Sequence, residues 1–195
     1  MDITALLQRF PQTQKSASLD MPTLTVVSND LPSVVRYLRD EQGFDLLADL
    51  CGVDWPERQP RFGVVIHLLN TTQHEYVRLH VACENNAVPT ISDIHPGANW
   101  HEREAYDMFG IHFIGHPDPR RILMWESYPY HPLRKEFPLA GIEVPFPAAD
   151  VAAVTGQKVE PAPMMGGPFV SAGGTMSHAE PQALDQSWNE EKPKS

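Results

Sequence analysis

Alternation of apolar and polar residues is strongest in the middle of the chain. From residue 61 to residue 69 the even-numbered side chains are large and apolar, which predicts a strand with one buried face. A polar turn at 70–73 follows, and residues 76–83 alternate in the same way. The two segments therefore predict an antiparallel hairpin, with Cys83 in phase with the apolar side chains and so in the core.

The flanking segments switch between helical spacing and short apolar runs. Residues 3–10 have helical spacing up to a proline, and residues 30–43 have it between an Asp-x-Pro start and a glycine end. Residues 24–27 and 44–51 predict strands, and a short helical piece is expected after Pro89. With a main helix further on, the order α-β-α-β-β-β-α predicts an α+β fold, a mixed or antiparallel sheet with helices packed against it.

The main helix is predicted to begin after Asn99. Glu102 follows three residues later, the arrangement of a capping box, and Gly110 can close the helix. Arg103 precedes Asp107 by four residues, a spacing that permits an ion pair along one helix face. The sequence therefore predicts a helix with a paired charged face.

Acidic and basic residues balance across residues 100–135. The acids are Glu102, Glu104, Asp107, Asp118 and Glu126, and the bases are Arg103, Arg120, Arg121, Arg134 and Lys135. Because a buried charge is costly unless it is paired, the balance predicts internal pairing, with the loops folded back on the helix. We expect Glu104 to meet one of the loop arginines, Arg120, Arg121 or Arg134. A solvated charged face is the plainer alternative.

Three stretches of this region resemble a known family. EREAYDMFGI, HPDPRRIL and HPLRKEFPL are similar to the signature of the C subunit, or 30 kDa subunit, of bacterial NADH:quinone oxidoreductase, respiratory complex I. The matching positions are Glu102, Arg103, Glu104, Asp107, Met108, Phe109, His116, Pro117, Arg120, Arg121, Ile122 and Leu123. Pro119 stands where an aliphatic residue is expected, which affects the path of that loop but not the fold. A looser resemblance begins near residue 46.

The resemblance implies a non-catalytic structural subunit of the peripheral arm of a proton-translocating enzyme. The signature residues are then a structural or interface set: Glu102, Arg103, Glu104, Asp107, His116, Arg120, Arg121 and Arg134. The implied neighbours are the D subunit, held in place at the quinone site, the B subunit and the nearby iron–sulfur subunits of complex I. FMN and the iron–sulfur clusters would lie in those partners, so no catalytic, cofactor-binding or metal residue is expected on this chain.

The implied location is the cytoplasmic side of the bacterial inner membrane, reached only through the complex. The homologous subunit of a membrane-bound hydrogenase or formate hydrogenlyase complex is the alternative, since the motif is shared there.

Composition limits the remaining function classes. A chain of 195 residues can form one domain plus an extension, and a net charge of −10 argues against a nucleic-acid partner. No apolar run is long enough to span a bilayer, and the first residues lack a signal-peptide pattern. There are two cysteines, no Cys-x-x-Cys motif and no glycine-rich nucleotide loop, so we expect the chain to carry no electrons itself.

A stand-alone His/Glu metal-dependent hydrolase is the alternative from a different class. His101-Glu102 begins like the zinc-protease motif, but Ala105 stands where the second histidine is needed. Glu102 with His116, or Glu104 with Asp107, could form an acid–base pair. A salt-bridged clamp explains the same groups, and we favour it. The histidines that could gather a metal are His95, His101, His112, His116 and His131.

The chain changes character after residue 139. Seven of its 19 prolines lie there, and acids outnumber bases. Large apolar residues are spaced along it: Phe146, Met164, Met165, Phe169, Val170, Met176 and Trp188. We therefore predict an α+β domain at 1–139 and an extended, proline-rich, partner-binding tail at 140–195. A disordered tail is the alternative.

Overall fold

The computed structural model describes residues 1–138. Residues 1–126 form one compact unit, and the described residues 127–138 belong to a second. The helices are α1 (Ile3–Arg9), α2 (Leu31–Asp40) and α3 (Ala98–Phe109). The strands are β1 (Gln14–Ser16), β2 (Thr23–Val26), β3 (Leu46–Asp54), β4 (Phe62–Asn70), β5 (Glu75–Ala82), β6 (Ala87–Pro89) and β7 (His112–Ile114). Short 3-10 turns lie at Ser28–Asp30 and Glu84–Asn86. The predicted tail at 140–195 lies outside the described residues.

The predicted mixed α+β sheet is confirmed. Five strands lie in the order β1-β2-β5-β4-β3, where β2 and β5 run parallel and the other neighbours run antiparallel. Ile66 at the centre of β4 lies opposite Leu79 on β5 and Leu50 on β3, so the predicted hairpin has the register that aligns its apolar side chains. The sequence did not predict β1, nor the parallel pair of β6 and β7.

One face of the sheet and the helices share a single core. Side chains that alternate along β2, β4 and β5 are fully or almost fully buried together with those of α1 and α2. Cys83 is 1% exposed, so its predicted core position is confirmed. None of the helices in residues 1–138 has the length and apolar character needed to cross a membrane.

Two glycines fix the position of α3. A Cβ atom at Gly52 on β3 would lie 2.6 Å from Cδ2 of Phe109, so a glycine is needed for the end of α3 to approach the strand this closely. Gly110 ends the helix with φ +76° and donates its N–H to the Tyr106 carbonyl at 2.8 Å, as the sequence predicts. The chain then turns into β7, which pairs with β6 from the segment before the helix.

The start of α3 differs from the prediction. The helix begins at Ala98, with Gly97 as its N-cap and no side-chain capping bond, so Asn99 lies inside the helix and the capping box is wrong. The prediction of a short helical piece after Pro89 is also wrong, since residues 91–97 form only hydrogen-bonded turns. Glu102 is consequently free to point its carboxylate elsewhere.

Candidate functional site

The carboxylate of Asp107 is the centre of the signature region. It is fully buried, and its Oδ1 accepts a hydrogen bond from the Arg121 guanidinium at 2.5 Å. Its Oδ2 accepts the backbone N–H groups of Ile122, Leu123 and Met124 at 3.1, 2.7 and 2.8 Å. One side chain near the end of α3 therefore sets the path of four consecutive loop residues.

Hydrogen bonding decides the charge of this carboxylate. Burial alone would raise the pKa of Asp107, but the bonds from Met124, Arg121, Leu123 and Ile122 outweigh it and hold the pKa below its ordinary value. The group is therefore an ionised anchor for the loop, and it is poorly suited to donating a proton near neutral pH.

Arg103 binds the same loop through its carbonyl groups. Its Nε donates to the Arg120 carbonyl and its Nη2 to the Arg121 carbonyl, each at 2.9 Å. Its Nη1 lies 3.7 Å from Oδ2 of Asp118. The predicted ion pair between Arg103 and Asp107 is therefore wrong, because the returning loop gives both groups other partners.

Glu104 lies on the solvent side of the helix. It is exposed, and within residues 1–126 it forms no ion pair. Arg120 forms two bonds with Asp118, at 2.6 and 2.9 Å, and these bonds lower the pKa of Asp118 to about 2. Because Arg121 is bound to Asp107, the predicted contact of Glu104 with Arg120 or Arg121 is wrong.

Arg134 belongs to the second unit. Its N–H donates to the His131 carbonyl at 3.2 Å, and its own carbonyl accepts the N–H of Phe137 at 2.9 Å. The rings of Tyr130 and Phe137 lie 5.9 Å apart. The predicted signature arginine therefore lies within a series of turns.

Glu102 is the second buried acid of α3, with 1% exposure. Its Oε2 accepts a hydrogen bond from the Thr90 hydroxyl, and its Oε1 accepts the N–H of Ile91 at 2.8 Å. Glu102 thus ties the first half of α3 to the segment that follows β6. Nothing in the sequence pattern marks Thr90 and Ile91 as its partners, because the contact depends on the pairing of β6 with β7.

His116 lies against Glu102 but does not neutralise it. Its side chain is 2% exposed, its Nδ1 accepts the N–H of Asp118 at 3.0 Å, and its Nε2 lies 3.1 Å from the Asn99 carbonyl. This pattern fits the neutral ring with the proton on Nε2. Since Nε2 is 3.8 Å from Oε2 of Glu102, the acid–base pair considered for these residues is not formed.

Burial controls the ionisation of Glu102. It raises the pKa to about 7, although the bonds from Thr90 and Ile91 partly oppose this, and the negative charge of Asp93 adds to it. The two buried acids of α3 therefore have pKa shifts in opposite directions, because Asp107 accepts bonds from three backbone N–H groups and from Arg121, whereas Glu102 accepts bonds from two neutral donors only.

A cavity of about 80 Å³ opens beside Glu102. It is lined by residues of α3, of β7 and of the loop that follows β7: Glu102, Arg103, Tyr106, His112, Phe113, Ile114, His116 and Pro119. The lining is chiefly apolar, and Ile114 is 64% exposed, so the cavity reaches the surface. The Glu102 side chain is not exposed, and both of its carboxylate oxygens are bonded to Thr90 and Ile91, so the carboxylate does not reach solvent through the cavity.

The described residues offer no metal centre. Within residues 1–138, no three of the His, Cys, Asp and Glu side chains lie close enough together to hold an ion. His101, which suggested the protease motif, instead places Nδ1 3.6 Å from Oδ1 of Asp49. Burial raises the pKa of the Cys83 thiol to about 12, which makes that cysteine a poor nucleophile.

Comparison with known proteins identifies similar chains. Residues 24–143 match the model of the family described as "Respiratory-chain NADH dehydrogenase, 30 Kd subunit". The chain is 48% identical over 120 residues to the C subunit of NADH-quinone oxidoreductase from Phenylobacterium zucineum, and 51% identical over 122 residues to that from Sinorhizobium medicae. These matches cover 61% of this chain and 57% and 61% of the relatives. The chain therefore spans about 60% of the length of the curated relatives it matches.

Two solved structures share the fold. One is a trypsin-resistant fragment (1-134) of Nqo5, with a TM-score of 0.52, 28% identity, and coverage of 60% of this chain and 99% of that one. The other is a chain of the membrane-bound sulfane sulfur reductase, an archaeal respiratory membrane complex. Its TM-score is 0.59 at 21% identity, with coverage of 80% and 89%, so the likeness is one of fold alone.

Replacing Asp107 by Asn should destabilise the domain strongly. The change keeps the shape but removes the buried counter-charge of Arg121, and loss of one partner from a buried pair typically costs about 3–5 kcal/mol. Urea denaturation of the full chain, followed by circular dichroism, measures the free energy of unfolding. Asp118→Asn is the matched control, because it removes a partly exposed carboxylate of the same loop whose partner Arg120 is itself exposed, and it should have a much smaller effect. Equal losses in the two variants would contradict the anchoring role of Asp107.

Replacing Glu102 by Gln should change how stability depends on pH. The folded-state pKa of about 7 lies above the ordinary value of 4.5, so the stability from this group is complete below pH 4.5 and is lost as pH rises through 7. The loss is on the order of 3 kcal/mol, at 1.36 kcal/mol per pKa unit. Glu102→Gln should therefore match the parent chain at pH 4.5 and exceed it in unfolding free energy at pH 8.5. Parallel stability curves from pH 4.5 to 8.5 would disprove the assignment.

Proposed function

The chain belongs to the family of the 30 kDa subunit of respiratory-chain NADH dehydrogenase, and on that premise we propose that it is a non-catalytic structural subunit of a proton-translocating NADH:quinone oxidoreductase. The reaction, electron transfer from NADH to quinone, would belong to the whole assembly. This chain would hold the subunits around the quinone site in fixed relative positions, on which electron transfer depends.

The observation that carries the proposal is that the charged signature side chains bind other groups of this same chain. Asp107 and Arg103 are occupied by Arg121 and by backbone groups of the 120–124 loop, so they shape a surface. A catalytic acid–base group needs access to a substrate, which the fully buried Asp107 does not have, and the Arg103 guanidinium is held by two loop carbonyls. The likeness to proteins named as the C subunit of NADH-quinone oxidoreductase supports the same interpretation.

Exposed apolar side chains support a role in assembly. Trp100 on α3, Ile114 on β7 and Leu123 in the loop anchored by Asp107 are 62–64% exposed. Large apolar side chains that stay in water are typical of a surface that another protein covers. We assign the D and B subunits of complex I and the neighbouring iron–sulfur subunits as the partners, in the peripheral arm on the cytoplasmic side of the bacterial inner membrane.

The redox cofactors are assigned to those partners. FMN and the iron–sulfur clusters would lie in the other subunits, and the quinone site would be formed by the D and B subunits. No specific observation favours the hydrogenase-type complex, since the relatives compared above carry the name of the quinone-linked enzyme.

An assembly assay with two variants tests the proposal. In a bacterium whose own gene for this chain is deleted, Arg103→Ala should lower the amount of assembled complex several-fold, because the loop that it holds then loses two hydrogen bonds. Lys15→Ala is the control, because it removes an exposed positive charge outside the signature, and it should assemble normally. Tagged purification and NADH:quinone activity per assembled complex are the measurements. The purified single chain should lack flavin and iron–sulfur absorbance.

Two results of this assay would reject the structural role. One is an Arg103→Ala complex that assembles fully and yet loses turnover, which would make the cluster part of the chemistry. The other is a wild-type chain that fails to co-purify with any subunit of the oxidoreductase.

We also propose that residues 140–195 form a segment that binds along a partner subunit, while residues 1–139 fold as a separate domain. Spaced apolar residues among many prolines suit an extended segment that becomes ordered on contact. The similar Nqo5 fragment is described as trypsin-resistant and covers 60% of this chain, which supports a stable domain without the remainder.

Truncation after Leu139 should separate folding from assembly. The shortened chain should unfold at nearly the same urea concentration as the full chain, yet be retained in the purified complex at least several-fold less. Limited trypsin digestion supplies the second measurement, since the segment should be cut in the free chain and protected in the complex. Equal resistance of the segment in the free chain would mean that it is bound to its own domain.

A further inference from the structure

The loop between β1 and β2, residues 17–22, presents a leucine to solvent. The Leu19 side chain is fully exposed. Asp20 fixes the loop on both sides of this leucine, because its carboxylate accepts the Ser18 hydroxyl at 2.6 Å and the N–H of Met21 at 3.0 Å. The loop is therefore held in one conformation by its own hydrogen bonds, while a large apolar side chain remains in water.

Arg78 on β5 binds this loop to the sheet. Its Nη1 and Nη2 donate to the Asp20 carboxylate at 3.2 and 2.7 Å, and its backbone N–H donates to the Pro22 carbonyl at 2.9 Å. The Arg78 guanidinium also holds the pKa of Asp20 well below its usual value, so the carboxylate stays ionised at neutral pH. A loop that is already ordered in this way loses little conformational entropy when it binds another protein.

Two open grooves adjoin the loop, with volumes of about 390 and 430 Å³. Both are lined by residues 20–22 and by Ile3 of α1, so they lie against the same short ridge of the surface. One groove continues along residues 15–19, and the other reaches Tyr76 at the start of β5, which is 44% exposed. Exposed apolar side chains that lie together around a ridge are typical of a surface that another protein covers.

The loop lies across the sheet from the surface formed by α3. In the strand order β1-β2-β5-β4-β3, β2 is separated from β3 by three strand spacings, which is about 14 Å. The end of α3 packs on β3, where Phe109 lies against Gly52. The exposed side chains of Leu19 in the loop and Trp100 on α3 therefore belong to separate patches of one folded unit.

We propose that the loop at residues 17–22 is the contact for a second partner subunit, different from the one that covers Trp100, and that Leu19 enters an apolar pocket of that subunit. This rests on the proposed function, since the contact forms only when the chain is assembled. One sheet with a subunit bound at each side fixes those two subunits relative to each other. A lipid bilayer is a poorer occupant, because a chain with a net charge of −10 is repelled by an anionic membrane surface.

Photo-crosslinking in the assembled complex identifies what covers the loop. Leu19 is replaced by the photoreactive amino acid p-benzoylphenylalanine, and Trp100 is replaced in the same way in a parallel preparation. After irradiation, mass spectrometry should find the first probe linked to apolar residues of one subunit and the second probe linked to a different subunit. The proposal is overturned if the probe in place of Leu19 forms no cross-link, or reaches only lipid, a second copy of this chain, residues 140–195 or the subunit that covers Trp100.

Substitutions at the loop measure what the contact contributes. Leu19→Ser should lower the amount of the second subunit in the purified complex several-fold, yet leave the urea denaturation of the free full chain unchanged, because Leu19 is not part of the core. Leu19→Met should retain the subunit, and so should Lys15→Ala, which removes only a charge at the edge of one groove. Asp20→Asn should lower retention with the leucine still present, because it weakens the bonds that fix the loop.

The outcomes separate this contact from the structural role. Full retention of every subunit with Leu19→Ser would overturn the contact and leave the proposed function intact. A Leu19→Ser chain that unfolds at a lower urea concentration than the parent would mean that the leucine serves its own domain, which also overturns the contact. A wild-type chain that co-purifies with no subunit would reject the proposed function and this contact together.

Discussion

The buried carboxylate of Asp107 is the interaction on which the signature region depends. A charge removed from water must be matched by a counter-charge and hydrogen bonds, and here Arg121 and three backbone N–H groups provide them. Satisfying this one group requires the chain to return across α3 after β7. The surface formed by the helix and the loop follows from that requirement, and so does the exposure of Leu123.

Glu102, five residues earlier on the same helix, is also buried but is not bound to a cation. It receives hydrogen bonds from Thr90 and Ile91 but has no cationic partner among the described residues, so burial raises its pKa while that of Asp107 is lowered. One acid is therefore an ionised anchor for the loop, and the other is an acid whose neutral form is favoured by burial.

The sheet provides the rigid support for both acids. Gly52 allows the end of α3 to lie directly on β3, and the pairing of β6 with β7 brings the residues before and after the helix together. Thr90 is thereby held beside Glu102, and its N–H donates to the Ile114 carbonyl at 3.0 Å. A helix fixed at both ends in this way agrees with the structural role proposed above, since its surface cannot shift without breaking strand pairs.

The sequence by itself determined the main helices, the central hairpin and the family. Alternation in β4 and β5, helical spacing in α1 and α2, and the glycine that ends α3 are local patterns, and the signature residues are a linear motif. These local patterns did not predict which groups the buried charges bind. Arg103 and Asp107 have the spacing of a helical pair, yet each binds the loop, because burial under that loop offers more hydrogen bonds than a solvated pair does. Only the tertiary structure decides which segments return to cover a charge, and it therefore decided which buried acid binds a cation and which one binds only neutral hydrogen-bond donors.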